Sequence, residues 1–254
     1  MERYGSVLMI HPRTKVNFFF SYFGSMSLTQ ILATISTAAR LLKENKNGEA
    51  IRILARDAKR LIMDVLDCPC NNCEISIKSC ELTLAHFFQV YFVDTSCIVS
   101  EASISPDNAF CFYPKAIVAS TIRESVPVGS VINHLAGITM YNMGLGYHRE
   151  GIQQGNSKLL EKALTMYGAA LSSFKLCSVG DIERSLLMAV TINMGHIHSL
   201  HFELAKSECC HRFLFDLMED YCPQTNVSLD VELLSLYRRT LFFASYGLVC
   251  APAA

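Results

Sequence analysis

Tyr141-Asn142-Met143-Gly144 and Ile192-Asn193-Met194-Gly195 are two copies of one pattern, each set in a long apolar run, and their repetition decides how the chain is read. Self-similarity on this scale marks a supersecondary unit used more than once. Around the first copy, helical spacing runs from about Val131 to Gly151 and is apolar nearly all round, as in a helix packed on more than one side. Asn156-Ser157 can cap the helix that follows. There Leu160, Ala163, Leu164, Tyr167, Ala170 and Phe174 form one stripe, while Lys158, Glu161, Lys162 and Ser173 face away. The second copy lies in a helix from about Asp181 to His201, followed by one bearing Phe202, Ala205, Cys209, Phe213 and Leu217 and closed by Pro223.

An earlier pair has the same form. Ser27-Leu-Thr-Gln30 fits a capping box, Ile31, Ile35, Ala38 and Leu42 recur at helical spacing, and Lys43 to Gly48 breaks the pattern. Ala50, Leu54, Ala58, Leu61 and Val65 resume it. Between this pair and the next, Leu82, Leu84, His86, Phe88, Val90 and Phe92 alternate with other residues, and β-branched and aromatic types persist to Val118. Ser105-Pro-Asp-Asn108 is a turn signal, so this region predicts a β-hairpin, with Pro114 at an edge or an end of its second strand. Near the C-terminus, Ser228 can cap a last helix that carries Leu234, Tyr237, Leu241, Ala244 and Leu248 on one side and stops at Pro252.

Aligning the second and third pairs on their shared motif brings Ala163 and Ala205 near the start of each second helix. In their order of small and large positions, Met143, Gly144, Tyr147, Gly151, Ala163, Tyr167 and Ala170 resemble the tetratricopeptide-repeat family, over roughly half the chain. The physical basis is close helix crossing, with small residues where backbones approach and aromatic rings beside them. The resemblance implies stacked antiparallel hairpins in a superhelix, whose concave face is formed by first helices. On this chain that face is Leu32, Ile35 and Ala39, then Ile138, Tyr141 and Leu145, then Ala189, Ile192 and His196, with Lys43 and Arg149 near its edge beside Asn142 and Asn193. So apolar a groove suits an amphipathic helix, from a partner or from the chain itself, rather than an acidic tail.

Composition agrees. Among 254 residues, 51% are hydrophobic and 18% charged, against a usual charged share of about 25%, so much apolar surface must be covered. The net charge of −1 and the lack of a basic run give no source for phosphate neutralisation, which argues against nucleic acid. Eleven cysteines, scattered rather than framed in a short scaffold, suggest a reducing, intracellular compartment. The start, Met1 to Lys15, lacks the unbroken apolar core of a signal peptide. Val16 to Ala39 is uncharged but interrupted by many polar groups, including Asn17, Ser21, Gln30 and Thr34, so membrane anchoring is the weaker account.

A search for chemistry returns little. Gly144-Leu-Gly146 has the wrong spacing for a nucleotide loop and follows no strand, and Walker, Gly-x-Ser-x-Gly and His-Glu-x-x-His signatures are missing. Cys68, Cys70, Cys73 and Cys80 could close a tetrahedral zinc site, with His86 as substitute ligand; without the usual Gly turn they read better as a thiol-bearing loop. His196 and His198 point to different faces of one helix and form a poor ligand set with His201 and His211.

The expectation is therefore a mainly α chain of stacked antiparallel hairpins with an inserted β-hairpin and a C-terminal capping helix. Its parts are an N-terminal segment (1–24), helix pairs at 25–67, 126–177 and 178–221, a cysteine loop and β insert at 68–125, and a last helix at 226–250. The expected role is a non-catalytic scaffold without cofactor that binds a protein or peptide through Ile35, Ala39, Ile138, Tyr141, Leu145, Arg149, Ile192 and His196. The alternatives are a metal- or thiol-regulated protein and a membrane-anchored one.

Overall fold

A computed structural model describes residues 28–66, 88–95, 110–121, 128–175, 180–219 and 233–240. In chain order they form α1 (Leu28–Lys43), α2 (Asn47–Leu66), β1 (Phe88–Asp94), β2 (Lys115–Thr121), α3 (Val128–Gln154), α4 (Ser157–Lys175), α5 (Asp181–Leu200), α6 (Leu204–Glu219) and a short helix, α7, at 233–240. The chain is mainly α with a small two-stranded antiparallel sheet between the first and second helix pairs. Ser27, the cysteines at 68, 70, 73 and 80, the Ser105–Asn108 turn, and Pro223 and Ser228 lie outside the described residues.

Three tight turns make the three hairpins, and all have the same geometry. A residue just past each first helix is left-handed: Asn45 at φ 60°, Gly155 at 58° and Phe202 at 56°. Each turn closes with the same bond back onto the helix, Lys46 N–H to Leu41 O at 2.8 Å, Asn156 N–H to Gly151 O at 2.9 Å and Glu203 N–H to His198 O at 2.9 Å. This is a Schellman closure, which satisfies carbonyls left free at a helix end. Asn156 then caps α4, its side-chain oxygen accepting from the Lys158 amide at 3.1 Å.

Superimposing these turns corrects one alignment. Counted from the left-handed residue, Leu160, Ala163 and Tyr167 of α4 correspond to Ser207, Cys210 and Leu214 of α6, all six buried. Ala205, which the sequence alignment pairs with Ala163, is exposed, and so are Phe202 at 87% and Leu204 at 77%. The buried stripe of α6 is Ser207, Cys210 and Leu214 instead. The apolar residues at its start belong to the turn and misled the spacing argument. Ser173, expected on the outer face of α4, is buried and donates to the Ala169 carbonyl at 3.0 Å.

The pairs pack in sequence, α2 against α3 and α4 against α5. Helix α3 meets α4 along three glycines one heptad apart. Gly137, Gly144 and Gly151 lie under Phe174, Tyr167 and Leu160, which also stand a heptad apart and run the other way, as an antiparallel pair requires. A Cβ built on Gly144 would lie 2.8 Å from two atoms of the Tyr167 ring. Helices α3 and α5 are buried along most of their length, which explains why their sequences are apolar all round. Glu183 ties them together: one carboxylate oxygen accepts from the Gly180 amide at the start of α5 at 3.1 Å, and the other lies 3.1 Å from Nε2 of His134 on α3.

The sheet sits against this scaffold. Phe88 pairs with Thr121 and Asp94 with Lys115, and Thr95 N–H to Pro114 O at 3.2 Å carries the ladder one step further. Pro114 thus stands directly before β2, where its missing N–H costs no ladder bond. Phe88 is buried while Gln89, Tyr91 and Asp94 are exposed, the alternation expected of a half-covered strand. In α7, Leu233, Tyr237 and Thr240 are buried; Tyr237 lies on the stripe of the sequence reading, while Leu233 stands one position before its Leu234. No helix among the described residues is long and apolar enough to cross a membrane.

Candidate functional site

The first helices α1, α3 and α5 form the face expected to be a groove, and the chain's own insert fills it. Helix α1 packs against both strands and α3 against β2. Ile35, Ala39, Ile138, Tyr141, Leu145, Ala189, Ile192 and His196 are all buried, and Leu32 is half-buried. An open apolar face at these positions is therefore absent from this conformation; its apolar surface is already covered.

What holds the insert is a pair of side chains from the repeated motif. Asn142 donates to the Ile117 carbonyl at 2.8 Å and accepts from the Ile117 amide at 2.9 Å. Asn193, at the same place in the second copy, accepts from the Tyr113 amide at 2.8 Å and donates to the Tyr113 carbonyl at 3.1 Å. The two clamped residues are four apart, so on an extended chain they present their backbone groups to the same side. Ile117 faces Phe92 of β1 in register, yet its own N–H and C=O turn away from β1 and into Asn142. Each carboxamide thus takes the place of a neighbouring strand. Tyr141 extends the row: its hydroxyl donates to the Lys115 carbonyl at 3.0 Å and accepts from the Asn193 amide at 3.3 Å.

Residues 110–113, which lead into β2, are held mainly by aromatic rings. Phe110 is buried between α5 and α6. A Cβ on Gly195 would come within 2.4 Å of its ring, and the His211 ring stacks on it with centroids 4.2 Å apart. Phe112 packs edge-on against His148 at 4.5 Å and beside His196 at 5.8 Å. Those two imidazoles are buried and face each other, His148 Nε2 lying 3.0 Å from His196 Nδ1, while His148 Nδ1 lies 3.3 Å from the Tyr167 hydroxyl. Two proton arrangements satisfy these contacts: Tyr167 O–H donates to His148 and His148 N–H to His196, or His196 N–H donates to His148 and His148 N–H to the Tyr167 oxygen.

Burial sets the ionisation of this cluster. It holds His148 well below the usual imidazole range, helped by the neighbouring His196, and lowers His196 to about 4. His211 also falls to about 4 through burial, against the opposing pull of Glu208. Tyr167 is pushed well above the ordinary phenol range by burial and by Tyr141, with the Asn193 hydrogen bond working the other way. All three imidazoles are therefore neutral near pH 7.

Arg149, placed at the groove edge by the sequence, is fully buried and does something else. Its guanidinium donates to the Leu42 carbonyl at the end of α1 and to the Asn45 side-chain oxygen at 3.1 Å. It fastens the second hairpin to the first turn. Among the described residues no group of three or more His, Cys, Asp or Glu side chains is arranged to hold a metal ion. Sequence reasoning named Asn142 and Asn193 in the repeated motif and beside the groove edge without giving them a role, named His211 only in a poor metal-ligand set, and missed Phe110, Phe112 and His148. The usable signal was an asparagine repeated in two otherwise apolar helices, since a buried amide must find partners.

Comparison with protein-family models, with curated proteins and with solved structures finds no match to this chain.

Proposed function

We propose that the chain is a protein-interaction module whose first-helix groove receives an extended, aromatic and β-branched segment, gripped by its backbone, and that the segment beginning at Phe110 is its occupant in cis. The observation that carries this reading is the pair of equivalent asparagines, each making two bonds to the backbone of one residue of the segment. Backbone recognition by an amide ladder tolerates varied side chains, while the slots filled by Phe110, Phe112 and Ile117 supply selectivity. The resemblance of the repeated motif to the tetratricopeptide family supports the same reading, and a peptide strand replaces the amphipathic helix as the preferred ligand. A partner's segment would make the same bonds as the cis one, and it gains access where the cis segment is weakened, since a second chain must also meet the entropy of association. The test uses the full chain with Phe110→Ser and Phe112→Ser, which weaken the cis occupant. A labelled peptide of residues 109–120 should bind this variant saturably and fail to bind once Asn142→Ala and Asn193→Ala are added. A cooperatively folded Phe110/Phe112 variant that ignores the peptide would defeat the proposal.

A further inference from the structure

We propose that His148, His196 and His211 form an acid-operated latch, which holds residues 110–113 against α5 and α6 when neutral and lets them go when protonated. Three different helices supply the imidazoles, and two rings of the same short segment close over them. Phe112 covers His148 and His196, and Phe110 lies flat on His211. The Asn193 clamp on Tyr113 belongs to this segment, whereas the Asn142 clamp on Ile117 lies beyond it in β2. The latch is therefore local, and one continuous segment carries both the part that opens and, in β2, an internal reference.

The chemistry runs one way. A single added proton can be shared along Tyr167, His148 and His196, but a proton on both imidazoles sets two N–H donors and two positive charges face to face across 3.0 Å. At that separation no water fits between them. His211 under a stacked Phe110 has its Nε2 buried with no hydrogen-bond partner among the described residues, so its charged form is unsatisfied there. Among the described residues, the groups around the three are few. Tyr167 from α4 and Tyr141 from α3 are neutral phenols, and Cys111 and Tyr113 come from the segment itself. Glu208 on α6 favours charged His211, Arg239 of α7 acts on the Cys111 thiol, and Lys115 lies 6.0 Å from the Tyr113 ring. Only Glu208 among these favours the protonated state, and it acts on one imidazole.

Burial places the closed-state values of His196 and His211 at about 4, below the open value near 6.5, and that of His148 falls in the same direction. The open form binds protons first, so the latch is at full strength above pH 6.5 and weakens as pH falls toward 4. Each imidazole kept unprotonated in the closed state contributes up to about tenfold per pH unit to the opening equilibrium, so His196 and His211, both lowered to about 4, together contribute up to about a hundredfold. The use of an opened groove rests on the receptor reading above, but the opening itself does not.

Residue-resolved hydrogen exchange on the full chain, corrected for the intrinsic pH dependence of exchange, tests the latch. Opening at the Tyr113 amide should rise at least about a hundredfold between pH 6.5 and 5, with the Ile117 amide lagging at least tenfold behind. His211→Phe keeps the ring stack without its proton and should reduce the rise to roughly a tenth of the wild-type value. Tyr113 and Ile117 opening together, a flat Tyr113 profile, or an unchanged rise in His211→Phe would each overturn it. If Tyr113 opens with acid but the weakened-strand variant ignores the 109–120 peptide, the latch stands and the receptor reading falls. Peptide capture beside a flat Tyr113 profile leaves the receptor reading standing and removes the latch.

Discussion

The Asn193 carboxamide and the Tyr113 backbone form a closed two-bond ring, 2.8 Å on the accepting side and 3.1 Å on the donating side, inside a buried part of the chain. Removing the side chain leaves an amide and a carbonyl unsatisfied, and each such group costs about 1–3 kcal/mol. Asn193→Ala should therefore lower unfolding stability by about 2–5 kcal/mol, measured by urea titration. The equivalent Asn142→Ala should behave alike, because it frees the same two groups on Ile117. A loss below about 0.5 kcal/mol in either variant would mean the ring adds nothing beyond what water supplies.

Gly144 and Gly168 make opposite predictions within one hairpin. A Cβ at Gly144 meets the Tyr167 ring at 2.8 Å, and that ring is buried with its hydroxyl engaged by His148, so it has no room to move. Gly144→Ala should cost about 1–3 kcal/mol through overpacking, a fall in Tm of about 2–4 °C for each kcal/mol in a chain of this size. Gly168 sits inside α4 with nothing within 4 Å of an added methyl, so Gly168→Ala should gain about 0.5–1 kcal/mol. Calorimetry on both variants decides whether close approach or helix propensity governs each site.

The hairpins were legible because their signals are local. Asp181 opens α5 as the periodicity predicted, Asn156 caps α4, and the alternation of Phe88, Gln89 and Tyr91 survives as burial. The groove's contents were not legible in the same way. Whether a strand lies in a groove or beside it depends on contacts between residues 80 apart, such as Tyr113 and Asn193, and no short-range period records them. The register of α6 failed for the opposite reason: Phe202 looked like a core residue by type, but a left-handed turn put it in water.

Arg149 and Lys43 were paired as edge cations, and their environments now separate them. The Arg149 guanidinium is fully buried and reaches two acceptors at once, the Leu42 carbonyl and the Asn45 side chain, while Lys43 is exposed. Arg149→Ala should cost about 3 kcal/mol or more, by removing charged hydrogen bonds and a large buried stem. Arg149→Lys should recover little, because an ammonium cannot reproduce the fork. Lys43→Ala should stay within about 0.5 kcal/mol. Thermal melts showing equal effects at the two positions would refute this assignment.

Phe202 closes the third turn at φ 56° with its side chain 87% exposed, where the matching turn in the second pair has Gly155. For a residue with a Cβ, the left-handed conformation costs about 1–2 kcal/mol, and so exposed a ring gains little burial to offset that strain. Glycine removes the strain but adds freedom to the unfolded chain, worth roughly 0.5–1 kcal/mol in the other direction. The strain is the larger of the two, so Phe202→Gly should raise stability by about 0.5–1 kcal/mol, and Tm by a few degrees. The mirror experiment, Gly155→Ala, introduces the strain where nothing crowds the Cβ and should cost about 1 kcal/mol. If Phe202→Gly lowers Tm instead, the ring is held by contacts that outweigh its backbone strain, and the three turns are equivalent in geometry but not in energy.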